Sequence, residues 1–592
     1  MILRSSPFFL TYFRFKKVKQ EEDFMKKIMT VAASAIMALA LVGCGGSKKD
    51  TLNVSVFTIQ ERQQPPADNR DYKWLEENFG ITFEWDILNG DKDQKIGTII
   101  ASGDLPDLVE VDSEKFQGAG TLIDIKPIIE KECPNIMKNY ETVWKAIVYT
   151  DSEKDADGNI IKEHVYSLPN YGSYTGADQN TSYNQNGWWI QKCVLQEAGW
   201  PEIKTVDQFF DLIEAYYKKH PTTADGLPTI PFSILTDPNA AFNLWNPPAF
   251  LAGYPNDGNG HVIDNGDGTY TYKDNFADEN AKKWFKMANG YYNRGLIDPA
   301  SFTDTQDQYK AKISQGRVLG MFIQGWQFMY DAEMSLRAEE KYELTYAPLP
   351  LVFDESIKPW YRDRALPNLQ RGYGFTTACG VEKATKILKI MDELLKEENQ
   401  KRLYWGLEGT DYQIDTDGSV TGTAGCPYRT PEQRAQQKDA NWILQNKAQL
   451  WTEEAPKWEG SYPDGYSTTL ANIPYEFWGD LPAIDIEMFK AYNINSVAQL
   501  VDRDPPKNPG WYPMWQCNPA PENEGLEHDA ALAMKGFETL QFKYLPKMIM
   551  GSPNDFEKTW NEFASQMTKL TEVYNAFMQT ELDARVKAFG GK

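Results

Sequence analysis

Between Leu52 and Val111 the chain changes its hydrophobic period from strand to helix and back again, and this alternation limits the possible folds more than any other feature. Leu52 to Phe57 alternates and is rich in valine. Asp71 to Phe79 then carries Tyr72, Leu75 and Phe79 at helical spacing, and Ile81 to Ile87 alternates once more. A second helix is expected from Asp93 to Ser102, followed by the turn Gly103-Asp104-Leu105-Pro106 and a buried strand from Asp107 to Val111. Strand, helix, strand in this order builds a parallel α/β layer. Farther on, Val206, Phe209, Phe210, Ile213 and Tyr217 share one face of an expected helix with Thr205 as its N-cap, and Ala384 to Leu395 is similarly amphipathic.

The chain has 592 residues, more than one hydrophobic core usually serves, so two or more lobes with a cleft between lobes are expected. The first lobe is expected to hold 51–168 and about 347–405, the second about 187–346 and about 406–592. Crossings are placed at 169–187, near 347–350 and near 405–409, where glycine, proline and small polar residues gather.

Residues 1–43 read as an export signal. Lys26 and Lys27 follow Met25, Ile28 to Val42 form an apolar run too short to span a bilayer comfortably, and Leu41-Val42-Gly43-Cys44 closes it. Glu21, Glu22 and Asp23 do not suit a positive leader, so translation is expected to start at Met25. The segment ending at Cys44 resembles the bacterial lipobox, which implies an acylated Cys44, a tether over 44–50 and a folded part held on the outer face of the cell membrane, in a Gram-positive envelope. The membrane contact is then the lipid alone.

The net charge of −23 repels nucleic-acid phosphates and anionic lipid, so neither is an expected partner. With Cys44 acylated, Cys133, Cys193, Cys379, Cys426 and Cys517 remain, an odd number without a CxxC, and the four histidines are isolated, so no metal and no cofactor are expected. Asp155-Ala156-Asp157-Gly158-Asn159-Ile160 has the look of half a calcium loop, but His164 falls where a bidentate glutamate is required, and the segment reads as a hairpin turn.

Several stretches, taken in order, resemble the extracellular solute-binding proteins of ABC importers. They are Ala101-Ser102-Gly103-Asp104-Leu105-Pro106-Asp107, Gly187 to Lys192, Glu197 to Pro201, Thr205 to Phe209, Gly295-Leu296-Ile297-Asp298-Pro299, Gly316 to Met321, Glu408-Gly409-Thr410-Asp411-Tyr412 and Pro546 to Gly551. Gln191 and Val206 depart from the family's usual basic residue and tryptophan. The resemblance implies an α/β, two-lobe periplasmic-binding-protein-like fold of the maltose-binding-protein type, with a central cleft and extra C-terminal helices. It further implies a monomeric receptor that passes its solute to permease subunits served by a separate ATPase.

Aromatic residues make up 13% of the chain, with 18 tryptophans, many beside amides or prolines. Sugars need that mixture, because a pyranose packs its C–H face on a ring while its hydroxyls take hydrogen bonds. The candidate ligand-binding residues are Trp188, Trp245, Asn246, Trp326, Trp405, Trp511 and Trp515. To these are added Glu61, Arg62 and Asp112 beyond strand ends, and Arg371 and Tyr373 at a glycine-rich strand entry. An oligosaccharide is the expected ligand and no catalysis is expected. The alternatives are an exported glycoside hydrolase using two carboxylates about 5 to 9 Å apart, a sensory binding module and a peptide receptor.

Overall fold

The computed structural model describes residues 51–110, 113–155, 159–175, 180–237, 240–362, 371–506, 508–521 and 524–589. Cys44, Asp112 and the 156–158 turn lie outside them. The flanks of that turn, Glu153–Lys154 and Ile160–Lys162, pair antiparallel as a hairpin.

Two sheets organise the chain. The first is built from β1 (Leu52–Thr58), β2 (Ile81–Ile87), β3 (Leu108–Glu110), β4 (Ser167–Leu168) and β10 (Tyr373–Phe375), in the order β2-β1-β3-β10-β4. β1 and β3 run parallel, whereas β10 runs antiparallel to both β3 and β4. The helices between them start and stop where the sequence directs. Asn69 accepts from the backbone amides of Asp71 and Tyr72 to cap Arg70–Phe79, and Gly80 ends that helix in the left-handed region at φ 65°.

The described part of the expected third strand begins at Leu108. Asp107 precedes it: its carbonyl still accepts from Thr376 N at 3.0 Å, and its carboxylate accepts from Ser55 N at 2.8 Å and from Lys383 Nζ at 2.6 Å. Gly372 is required where β10 meets β4: at φ +122° a Cβ would lie 2.0 Å from the Leu168 carbonyl oxygen.

The second sheet is built from β6 (Asn186–Gln191), β7 (Ile230–Ser233), β8 (Val318–Gln324) and β9 (Tyr346–Leu349), in the order β9-β6-β8-β7. β8 is parallel to β7 and antiparallel to β6. Thr205 and Gln208 form a capping box on helix Val206–Lys219, which buries Val206, Phe209, Phe210 and Ile213 as the periodicity predicts. These side chains meet Trp188, whose ring lies 5.2 Å from Trp284 and 5.8 Å from Phe232.

The long C-terminal helices Leu526–Met550 and Phe556–Phe589 extend this core. They are fastened by Asn289, whose amide donates to the carbonyls of Met548, Ile549 and Gly551.

Residues 406–472 were grouped with the second lobe on sequence grounds, but they make their strongest contacts with the first sheet's elements. Arg70 donates to both carboxylate oxygens of Asp411, at 3.0 and 2.7 Å. Asn69 donates to the carbonyls of Leu444 and Lys447. The chain joins the second core only from Phe477 and Trp478 onward. The physical reason is the buried charge of Asp411, which takes its guanidinium partner from helix Arg70–Phe79.

The segment that leaves the first sheet also pairs with the 406–472 stretch. β5 (Tyr171–Thr175), which follows β4 and precedes β6, runs parallel to β11 (Lys457–Gly460), with a register shift between Lys457 and Glu459.

Asp411 is 1% exposed, and truncating it takes both of these bonds from the Arg70 guanidinium, leaving Asp71 at 3.5 Å beside it. Asp411→Ala is expected to destabilise the chain by about 3 kcal/mol or more, read as a lower midpoint in urea unfolding.

Candidate functional site: the carboxyl-terminal edges of the two sheets

Ligands of parallel α/β sheets sit beyond the carboxyl ends of the strands. At that edge of the first sheet, Glu110 closes β3 and its carboxylate accepts from Ile59 N at 2.9 Å and from Gln60 Nε2 at 3.2 Å, stitching it to the end of β1. Arg371, at the entry to β10, pairs with Glu454 and lies 3.5 Å from Glu110. Glu454 also accepts from Gly372 N at 3.0 Å. Arg62 pairs with Glu453 at 2.8 Å and donates to Gln60 at 2.5 Å. Burial pushes the Glu110 carboxyl above its ordinary range, against the opposing pull of Arg371. This edge is therefore charged, and its charges satisfy one another.

The second sheet's edge has a different chemistry. The end of β8 turns through Gly325-Trp326-Gln327, where Gly325 N donates to the Gln185 carbonyl and Trp326 N to the Asn184 carbonyl, both at 3.0 Å. This turn leaves the Trp326 ring 47% exposed and Tyr330 69% exposed. Around them stand the amides of Asn184, which donates to Tyr330 Oη at 3.4 Å, of Gln185, and of Gln324, which accepts from the Trp326 indole. Gln327 accepts from Gln324 N at 3.2 Å and from Asn243 at 3.0 Å. Two exposed rings beside neutral amides form a surface suited to polyhydroxylated ligands.

The sequence-predicted residues divide between these edges and the core. Arg62 and Arg371 lie at the first edge, and Glu61 is exposed beside it, accepting weakly from Gly90 N. Trp326 is at the second edge.

Trp188 is fully buried, its indole donating to Tyr361 Oη at 3.0 Å, and it presents no face to a ligand. Trp405 is likewise core, donating to the Ser467 carbonyl and packed on Tyr412 and Tyr462. Tyr373 is buried under the first edge, stacked 5.5 Å from Trp451, its hydroxyl donating to the Leu450 carbonyl. Trp511 is buried beside Tyr270, Trp515 is half-buried against Gly258, and Trp245 and Asn246 are buried next to the second edge. In each buried tryptophan the flanking polar residues suggested exposure, but the indole itself fills a core.

Glu454, Glu453, Asn184, Gln185, Asn186, Asn243 and Tyr330 were not singled out. Glu453 and Glu454 reach the edge from a helix far along the chain, and no local pattern marks them. Gln324 and Gln327 were visible in the string that carries Trp326.

No family model matches this sequence. The chain is 26% identical over 319 residues to the fructooligosaccharide ABC transporter substrate-binding protein FusA of Streptococcus pneumoniae, a match covering 48% of this chain and 56% of that protein, so it spans little more than half of the curated relative's length. Among solved structures, S. pneumoniae FusA in complex with kestose superposes with a TM-score of 0.58 at 17% identity, covering 90% of this chain and 99% of that one. An HMO-binding solute-binding protein of Bifidobacterium longum infantis gives 0.61 at 18% identity with the same coverage, and the alginate-binding protein AlgQ2 gives 0.54 at 16%, again over 90% and 99%. At these identities the structures establish the fold. The chain has the two-lobe, mixed α/β fold of the ABC-importer solute-binding proteins.

Lys457, in β11 below the first edge, donates to the carbonyls of Thr452 and Glu453 at 3.2 and 3.0 Å, and burial pushes its ammonium down to about 8. The unfolded chain, with an ordinary lysine near about 10.4, binds more protons between those values, so stability from this group rises with pH across the window. Urea unfolding at about pH 7.5 and about pH 10 is expected to show a rise in the native chain that is smaller in Lys457→Met.

Proposed function

We propose that this chain is an extracellular receptor that captures an uncharged oligosaccharide between its two lobes and delivers it to an ABC importer without altering it. The single observation that carries this reading is the contrast between the edges. Trp326 and Tyr330 offer exposed ring faces among neutral amides, while Arg371 and Arg62 are already paired with Glu454, Glu110 and Glu453. An anionic ligand such as a uronide would have to displace those carboxylates, whereas sugar hydroxyls can add to the same groups as donors and acceptors. The relative's fructooligosaccharide specificity and its complex with kestose support the ligand class.

In this reading one lobe comprises the first sheet with 51–168 and about 371–472. The other comprises the second sheet with about 186–349 and about 477–589. The segments between them are the crossings, and closure is selected by contacts made to both lobes at once. Cys44 carries the lipid that holds the receptor at the outer face of the membrane. In cells producing Cys44→Ala, the protein is expected in the medium instead of the membrane fraction on immunoblotting.

The test of function is a thermal-shift and calorimetry panel of kestose, maltotriose, an alginate trisaccharide and a short aromatic peptide. An uncharged oligosaccharide at a hundred times its dissociation constant is expected to stabilise the chain by about 2.7 kcal/mol and to be recovered intact. Recovery as shorter products, or a shift with the alginate or the peptide alone, overturns the proposal. Trp326→Ala is expected to weaken binding roughly tenfold through loss of ring stacking, with little change in the melting temperature of the free chain because the ring is exposed.

A further inference from the structure

The last helix, Phe556–Phe589, has 34 residues and is about 50 Å long at 1.5 Å per residue. It belongs to the second core: Phe577, Met578 and Leu582 are buried there, and Gln579 donates to the Tyr270 carbonyl at 3.0 Å and accepts from Tyr272 N at 2.8 Å. Its final turn, however, meets the first sheet's elements. Helix Trp144–Asp151 is tied to that sheet, because Asp151 accepts at 2.6 Å from the amide of Tyr166, the residue before β4. Tyr149 of this helix has its ring 5.7 Å from that of Phe589 and 6.0 Å from the Arg585 guanidinium. Lys145 donates to the Ala588 carbonyl and stands 5.4 Å over the Phe589 ring. Asn159, in the hairpin that follows the helix, accepts from Lys587 Nζ at 2.5 Å.

A helix leaves its last four carbonyls without partners of its own, and the negative end of its dipole attracts a cation. Lys145 supplies both the donor and the charge from a different part of the fold. On the second core's side the turn is held by close packing. A Cβ on Gly510 would lie 2.7 Å from the Phe589 Cβ, and Arg585 donates to the carbonyls of Trp511 and Pro513 at 3.4 and 3.3 Å. Tyr149 is 2% exposed, so the contact is shut to water, yet its hydroxyl and Arg585 Nε have no hydrogen-bond partner among the described residues. Both groups regain water when the contact parts, which lowers the cost of parting it.

We propose that the final turn of the last helix is a clasp between the two lobes, held by Lys145, Tyr149 and Asn159, that biases the balance between their open and closed arrangements and so sets the affinity for ligand. None of its residues belongs to either edge. The inference rests on the receptor reading. A contact made in one arrangement and lost in the other shifts the equilibrium by its own energy, and affinity scales with the fraction of molecules in the arrangement that binds.

Two measurements on the full chain test it, with kestose and maltotriose as probes. In calorimetry, Lys145→Met and Phe589→Ala are expected to change affinity about threefold or more, both in the same direction, through loss of the cation or the ring. Lys145 is exposed, so its variant is expected to fold as the native chain does. Spin labels on Thr150→Cys and Asp583→Cys, exposed positions on the two sides of the clasp, are expected to change their separation when sugar saturates the chain. A lowered melting temperature with unaltered affinity marks a purely structural contact and overturns the clasp while leaving the receptor reading standing. So does a label separation that is the same with and without bound sugar. A native chain that binds neither sugar overturns both.

Discussion

The carboxylate of Glu454 holds the first sheet's edge together. It takes the Arg371 guanidinium and the Gly372 amide, while Arg371 reaches across to Glu110, whose own oxygens bind the end of β1. Helix Gln449–Glu454, β10, β3 and β1 are thereby joined through three side chains that are distant in sequence. Below them Tyr373 stacks on Trp451 and donates to Leu450, so the charged layer rests on an aromatic one. Removing Arg371 would leave the buried carboxylates of Glu454 and Glu110 without their guanidinium, a larger cost than the loss of a solvent-exposed pair.

The two edges are complementary in kind. One is rigid and internally neutralised; the other carries rings and amides whose hydrogen-bonding capacity is only partly used. A ligand with both apolar faces and many hydroxyls matches the pair, because ring stacking and hydroxyl bonding draw on different parts of the same molecule. The difference follows from composition at strand ends. β3 ends at Glu110 and Arg371 precedes β10, whereas β6 begins at Asn186 and β8 ends at Gln324.

Much of the fold could be read in the chain because it is written locally. The first strands and helices, the Thr205 capping box and the Val206–Lys219 stripe depend on neighbours a few residues away. The contacts of 406–472 with the first sheet's elements were not legible, since they include Asp411 meeting Arg70 across 341 residues. The exposure of Trp326 among glutamines could be read from its local string. The burial of Trp188 and Trp405 could not, because a tryptophan looks the same in sequence whether its indole N–H meets water or, as here, Tyr361 Oη and the Ser467 carbonyl.

The pairing of β5 with β11 bears on the mechanics of the molecule. The chain leaves the first sheet after β4, and β5, on the way out, is hydrogen-bonded as a parallel ribbon to β11, within the 406–472 segment that packs on that sheet's elements. A free tether could bend and twist along its whole length. Held against β11, this one has less free length to do so. Any substitution that broke the ribbon would therefore enlarge the set of open arrangements, and the penalty would fall on the entropy of closing, even though every residue that touches the ligand remained in place.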